Sequence, residues 1–214
     1  MLMEPVVVVV LAAGRSSRFG GDQHKLAQSF ASSSVLGTTL SNALASHLPA
    51  VVVTTAALVP LVQPVVAARD IVLLSPVGSA SREPLGMGYS IASGVCARAH
   101  ASGWLMLPGD MPLVRSETLQ AVAQALADHP VAYAQYRGRR GHPVGFSAEL
   151  YSELIALSGD EGARRLLARY PAHAVEVDDP GVLVDVDTPQ DLDAARDGAR
   201  RQAGADLSED SPAR

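Results

Sequence analysis

An α/β fold is predicted, a single three-layer α/β/α domain built on a mostly parallel sheet. Three observations predict it. Residues 6–11 are five valines and a leucine without a polar break, the pattern of a strand buried on both faces in mid-sheet. Further short apolar runs at 51–54, 71–74 and 104–107 alternate with stretches whose apolar residues recur at helical spacing. Small, charged and turn-forming residues follow the first and fourth runs directly, where open α/β sheets place their ligands.

The elements follow in chain order. After the first strand the chain turns through Ala12-Ala13-Gly14-Arg15, and Gly14 and Gly20 admit backbone angles that other residues avoid. Residues 29–34 are small and polar and read as loop. Val35, Leu36, Leu40, Ala43 and Leu44 mark a helix ending near Leu48-Pro49, before the strand at 51–54. A helix over 57–68 is expected to be interrupted by Pro60 and Pro64. After the strand at 71–74, residues 76–88 are rich in Gly, Ser and Pro and read as loop. Residues 89–100 form a helix with Ile91 and Val95 on one face, and the strand at 104–107 leads into Pro108-Gly109-Asp110-Met111-Pro112. The helix at 116–128 has Ser116 as its expected cap. Then come a strand at 131–135, a cationic hairpin or loop at 136–141 and extended chain at 142–146. Short helices at 148–157 and 162–170 precede short strands at 175–177 and 182–186. Thr188-Pro189-Gln190-Asp191 opens the last helix, with Thr188 as cap, Pro189 at the first position and Asp191 near the capping-box position. The domain is expected to span 1–199, with 200–214 a disordered tail of Gly, Asp, Ser and Glu without periodicity.

With 214 residues and 48% hydrophobic content, the chain can bury a sizeable single core. Its net charge is −5 and no Lys/Arg-rich run occurs, which argues against a nucleic-acid partner. Met1-Leu2-Met3-Glu4-Pro5 carries no basic region and the apolar run behind it is too short for a bilayer, so a cytoplasmic location without a membrane partner is expected. The single cysteine, Cys96, excludes an intrachain disulfide and reads as a small core residue.

The turn after the first strand has the makings of a phosphate site: backbone N–H groups in a tight turn, with Arg15, Arg18 and Lys25 adding positive charge. Its spacing fits neither the G-x-G-x-x-G dinucleotide fingerprint nor the P-loop. Asp110, held directly after an apolar strand, suits a hard-oxygen ligand for magnesium, which takes one or two carboxylates plus substrate phosphates. Asp185 and Asp187 alternate on a second strand end, and Asp187, nearer the loop, is the preferred second ligand. Arg137, Arg139 and Arg140 before His142-Pro143 either form a solvated basic loop or meet an anionic co-substrate. His142 either contacts that co-substrate or is a structural histidine. Asp160 caps the helix that follows it, whose free N–H groups could also face a phosphate. Together these parts suit nucleotidyl transfer, which needs positioning and charge stabilisation more than a protein nucleophile.

Six motifs, in order, carry a resemblance. They are Leu11-Ala12-Ala13-Gly14 with Arg18-Phe19-Gly20 and Lys25; Gly86-Met87-Gly88-Tyr89-Ser90; Pro108-Gly109-Asp110-Met111-Pro112; Gly138-Arg139-Arg140-Gly141-His142-Pro143; Gly159-Asp160-Glu161-Gly162-Ala163-Arg164; and Asp185-Val186-Asp187-Thr188-Pro189. The chain resembles the molybdenum cofactor cytidylyltransferases, within the wider MobA-like nucleotidyltransferases of Rossmann-like nucleotide-diphospho-sugar transferase fold. The resemblance implies transfer of CMP from CTP to molybdenum-bound molybdopterin, with release of pyrophosphate and delivery to a molybdenum enzyme. It implies that Leu11, Ala12, Ala13, Gly14, Arg15, Gly86, Ser90 and Gly109 meet the nucleotide. By the same carry-over Arg18, Lys25 and Asp110 serve catalysis, Arg140, His142 and Asp160 the acceptor, and Asp110 with Asp187 hold Mg2+. Ala13 favours CTP, since guanylyl relatives usually carry glycine there. The longer segment before Lys25 and the polar insertion at 29–34 depart from the family pattern. Other classes that fit are a guanylyl or sugar-phosphate transferase of this fold and a non-catalytic cofactor carrier.

Overall fold

The computed structural model describes residues 4–14, 19, 23–74, 86–159 and 163–209, with 201–209 as backbone alone. Its centre is the valine run: β1 (Val7–Ala12) pairs in parallel with β4 (Ala50–Thr55) on one side and β6 (Gly103–Pro108) on the other. Beyond β4 lies β5 (Ile71–Leu74), also parallel. Beyond β6 lie β8 (Arg139–Ser147), β7 (Val131–Tyr136) and β9 (Ala172–Glu176), completing a seven-stranded sheet in the order β5-β4-β1-β6-β8-β7-β9. Only β8 runs against the rest, being antiparallel to both β6 and β7.

Strand alternation divides the valines between two cores, as expected of a strand covered on both faces. Val8, Val10 and Ala12 face α1 (Val35–Ala45), α2 (Val59–Val62), α4 (Ser116–Ala125) and α7 (Pro189–Glu209). Val7 and Val9 face α3 (Gly86–Cys96), α5 (Tyr151–Ile155) and α6 (Arg164–Arg169). The predicted three-layer α/β/α architecture is the one found.

Several local expectations are corrected. Residues 29–34 are a tight hairpin, β2 (Ser29–Phe30) against β3 (Ser33–Ser34). Buried Phe30 anchors it, and Ser34 caps α1 by accepting from the Gly37 N–H at 3.0 Å. The prolines cut the 57–68 helix down to a 3-10 turn and the single turn of α2. Helix α3 begins at Gly86, taking in Gly86-Met87-Gly88, which the sequence assigns to loop, and its last residue, Cys96, is exposed rather than core. Ser116 does not cap α4. The cap position is Arg115, and Asp179, far along the chain, ties down the start of the helix by accepting from the Arg115 N–H at 2.9 Å and the Thr118 hydroxyl at 2.7 Å.

The expected strand at 182–186 is instead a strap. Asp179 accepts from the Gly181 N–H, a 3-10 turn spans Pro180–Leu183, and the Val186 N–H donates to the Asp110 carbonyl at 2.9 Å. Its donors go to its own turn and to the loop after β6, so it joins no sheet. The strap also lies close to its neighbours: a methyl group on Gly141 would stand 2.2 Å from the Val182 carbonyl oxygen. At the last helix the expected capping box is present. The Thr188 hydroxyl accepts from the Asp191 N–H, while the Asp191 carboxylate accepts from the Thr188 N–H at 2.8 Å. Helix α7 then continues to Glu209, past Arg200, where the sequence reading ends regular structure. The alanines, arginines and glutamine of 199–203 are good helix formers, which carry the helix beyond the apolar stripe.

Candidate functional site

The strand ends β1 and β6 adjoin, with Leu11 paired to Pro108. The Gly109 N–H donates to the Leu11 carbonyl at 2.9 Å, and the Thr54 hydroxyl donates to the Ala12 carbonyl at 3.2 Å. A methyl group on Gly109 would lie 3.1 Å from the Leu11 carbonyl oxygen and 3.2 Å from Ala12 Cβ, so the two turns approach this closely because residue 109 has no side chain. The Thr39 hydroxyl lies 3.0 Å from the Gly109 carbonyl, and Asn42 Nδ2 donates to the carbonyls of Pro112 and Val114. Helix α1 thereby fixes both ends of the loop that carries Asp110.

His24 closes the long turn after β1. Its Nδ1 accepts from the Leu26 N–H at 3.2 Å, which leaves Nε2 to donate to the Gly14 carbonyl at 2.9 Å. Lys25 is thus directed inward, and its Nζ lies 2.6 Å from Asp110 Oδ2 and 2.6 Å from Asp187 Oδ1. The three side chains are 13%, 17% and 27% exposed, so the cluster is largely shielded from water. Burial alone would lower the Lys25 ammonium; charge attraction and hydrogen bonds from Asp110 and then Asp187 outweigh it and hold the group above the ordinary lysine value.

Two buried polar atoms here lack a partner, Asp110 Oδ1 and His142 Nδ1. Because β8 is antiparallel, its first residues lie at the carboxyl ends of the parallel strands, which brings His142 beside Asp110. Burial pushes the His142 imidazole below the usual histidine range; the charges of Asp110 and Asp185 and a backbone hydrogen bond with Met106 oppose this without cancelling it. A neutral imidazole with a free ring nitrogen results.

The donor set suits a hard divalent cation. Asp110 and Asp187 converge on one positive nitrogen, and Asp110 keeps a buried oxygen without a partner. Among the described residues no group of three or more His, Cys, Asp or Glu side chains is placed to hold a metal ion.

The remaining predicted residues are placed as follows. Ala12 is buried, Leu11 and Ala13 are half-buried, and Gly14 is exposed with open space around its Cα. Gly86 and Ser90 lie in the first turns of α3, Gly86 at φ +63° and Ser90 buried. Arg140 is exposed and its guanidinium stacks 4.4 Å from the centre of the Tyr133 ring. Arg15, Arg18 and Asp160 lie outside the described residues. His24, Thr39 and Asn42 were not singled out from sequence. His24 had one local signal, its place next to Lys25, whereas Thr39 and Asn42 act across 70 residues or more.

A sequence model of the MobA-like NTP transferase domain matches residues 8–175. The purine catabolism protein PucB of Bacillus subtilis (strain 168) is 33% identical over 211 residues, spanning 89% of this chain and 96% of that protein. The phosphoenolpyruvate guanylyltransferase of Mycolicibacterium gilvum (strain PYR-GCK) is 33% identical over 126 residues, 58% of this chain and 56% of that enzyme. Among solved structures, Rv0371c of Mycobacterium tuberculosis H37Rv matches with a TM-score of 0.77 at 27% identity, over 92% of this chain and 100% of that one. Rv0371c has also been solved in complex with manganese, and that structure matches with a TM-score of 0.74 at 26% identity over the same share of both chains. Among the described residues no helix is long and apolar enough to cross a membrane.

Proposed function

The chain belongs to the family of the MobA-like NTP transferase domain, and from that premise we propose that it moves CMP from CTP onto the phosphate of molybdenum-bound molybdopterin, releasing pyrophosphate. The observation that carries this reading is the convergence of Asp110 and Asp187 on one cation beside the β1 turn, with a buried Asp110 oxygen unsatisfied. That arrangement suits phosphate chemistry and gives no sign of a protein nucleophile.

In the reaction an acceptor phosphate oxygen attacks the α-phosphorus of CTP, and the bond from that phosphorus to the β-phosphate oxygen breaks. The electron pair leaves with pyrophosphate. A phosphate acceptor is already ionised near neutral pH, so no general base is needed. Residues 11–14 and Gly109, at the ends of β1 and β6, would line the donor, with Arg15 and Arg18 adding charge and Gly86 and Ser90 nearest its base and ribose. Lys25 would stabilise charge gathering on the leaving group. His142, neutral and with a free nitrogen, would orient the acceptor, and Arg140 and Asp160 would also serve it. Asp110 and Asp187 would hold Mg2+, which supplies charge neutralisation to the phosphates. A molybdenum enzyme would be the receiving partner.

GTP is the competing donor, favoured by one relative being a guanylyltransferase. Ala13 supports CTP, because its methyl group would fill room that a purine would use. The test is thermal unfolding with magnesium and CTP, GTP, ATP or UTP. A nucleotide at ~100 times its dissociation constant adds about 2.7 kcal/mol, a clear rise in Tm. A rise for CTP alone, with pyrophosphate release on adding molybdopterin, is expected. A rise for GTP alone moves the reading to guanylyl transfer, and no rise with any nucleotide sinks it. Asp110→Asn should cut turnover about 100-fold or more, by analogy with loss of a single charge-stabilising group.

A further inference from the structure

Three carbonyls at the end of β1 are each taken by a donor from another part of the chain. The Gly109 N–H holds that of Leu11 at 2.9 Å, the buried Thr54 hydroxyl holds that of Ala12 at 3.2 Å, and His24 Nε2 holds that of Gly14 at 2.9 Å. Backbone that receives an anion through its N–H groups needs its carbonyls held in this way, because an oxygen free to swing toward a phosphate would repel it.

The other nitrogen of the His24 ring serves a different residue. Nδ1 accepts from the Leu26 N–H at 3.2 Å and so caps the 3-10 turn Lys25–Ala27. A backbone amide only donates and a carbonyl only accepts, so one form of the ring makes both contacts: neutral, with its proton on Nε2. The cap fixes the residue that it spans, Lys25, whose Nζ lies 2.6 Å from both Asp110 and Asp187. Lys25 is the only lysine in the chain.

We infer that His24 is a positioning residue with two separable tasks. Through Nε2 it sets residues 11–14 for the phosphates of the nucleotide, and through Nδ1 it aims the chain's one lysine at the two carboxylates. The first task rests on the donor site of the proposed reaction; the second stands without it.

Two substitutions separate the tasks. Glutamine brings an amide nitrogen to the place of Nε2 and can still donate to Gly14, but it caps poorly. Asparagine brings an amide oxygen to the place of Nδ1 and caps well, but falls short of Gly14. Calorimetry with magnesium and CTP, with GTP in parallel, reads nucleotide affinity. The placement of Lys25 is read in metal-free protein by its rate of acylation, followed by mass spectrometry with no second lysine to confuse it. An ammonium gripped by two carboxylates reacts slowly, because only the uncharged amine attacks.

His24→Asn should weaken nucleotide binding about 5-fold, the usual scale of one hydrogen bond, and leave Lys25 acylation at the wild-type rate. His24→Gln should keep nucleotide affinity and speed Lys25 acylation about 5-fold. A His24→Asn protein that binds nucleotide as the wild type does overturns the Nε2 task, and a His24→Gln protein whose Lys25 stays slow overturns the Nδ1 task. Both variants losing both properties together overturns the division and leaves His24 a structural residue. A wild type that binds neither nucleotide overturns the donor reading and the Nε2 task with it, while the acylation rates still decide the Nδ1 task.

Discussion

Lys25 lies between two carboxylates that would otherwise face each other, so its removal should be felt before any substrate is present. Breaking a fully buried ion pair by removing one partner costs about 3–5 kcal/mol; with these side chains partly exposed, Lys25→Met should cost about 1–3 kcal/mol in EDTA. Adding Mn2+ should return more stability to the variant than to the wild type, because in the wild type a metal must first displace the ammonium. Thermal unfolding with and without Mn2+ reads both effects, and an unchanged melting temperature in EDTA would show that the cluster contributes little to folding. Lys25, Asp110 and Asp187 were legible in the sequence because each follows a strand or turn whose neighbours announce it. The buried free nitrogen of His142 was not, since it depends on how β8 is set against β6.

Helix ends separate what sequence can announce from what it cannot. The box at Thr188 and Asp191 is written in four consecutive residues and forms as read. The start of α4 is tied down by Asp179, more than sixty residues away, and no local pattern at 115–118 points to it. Asp179→Ala should destabilise by about 1–3 kcal/mol, the range for leaving buried donors unpaired, measured by urea unfolding. The box at Thr188 and Asp191 predicts a pH dependence. Hydrogen bonds from Thr188, side chain first, hold the Asp191 carboxyl below its ordinary value of 3.8. Asp191 therefore contributes stability above about pH 3.8, and that contribution fades as pH falls through its lowered value. Wild type and Asp191→Asn should differ at pH 7 and converge at acid pH in paired unfolding curves. The hairpin at 29–34 was missed for a similar reason to the Asp179 contact: its strands are two residues long, too short for alternation to register, and burial of Phe30 decides its shape.

Across the whole molecule, the order of layers was legible because uninterrupted valines admit only a central, doubly covered strand, and the alternation of runs demands crossovers on both faces. The strap was not, because Val182 to Val186 carries a strand's composition while its donors go to turns and to the Asp110 carbonyl. The family match ends at residue 175, yet Asp179 ties down the start of α4, Asp187 joins Lys25 and the last helix covers one face of the sheet. A chain cut after Val175 should therefore unfold at lower urea or fail to fold, and should not bind Mn2+ as the full chain does. Cooperative folding of the truncated form with unchanged Mn2+ affinity would show the strap to be dispensable. The same route sets a sequence of events on the ribosome. Asp187 is the last of the three charged partners to be synthesised, so the cluster closes only after Lys25 and Asp110 have already been made. Until the strap has returned across the strand ends, the growing chain lacks one of the two carboxylates, so the site is completed only when the last part of the domain has left the ribosome.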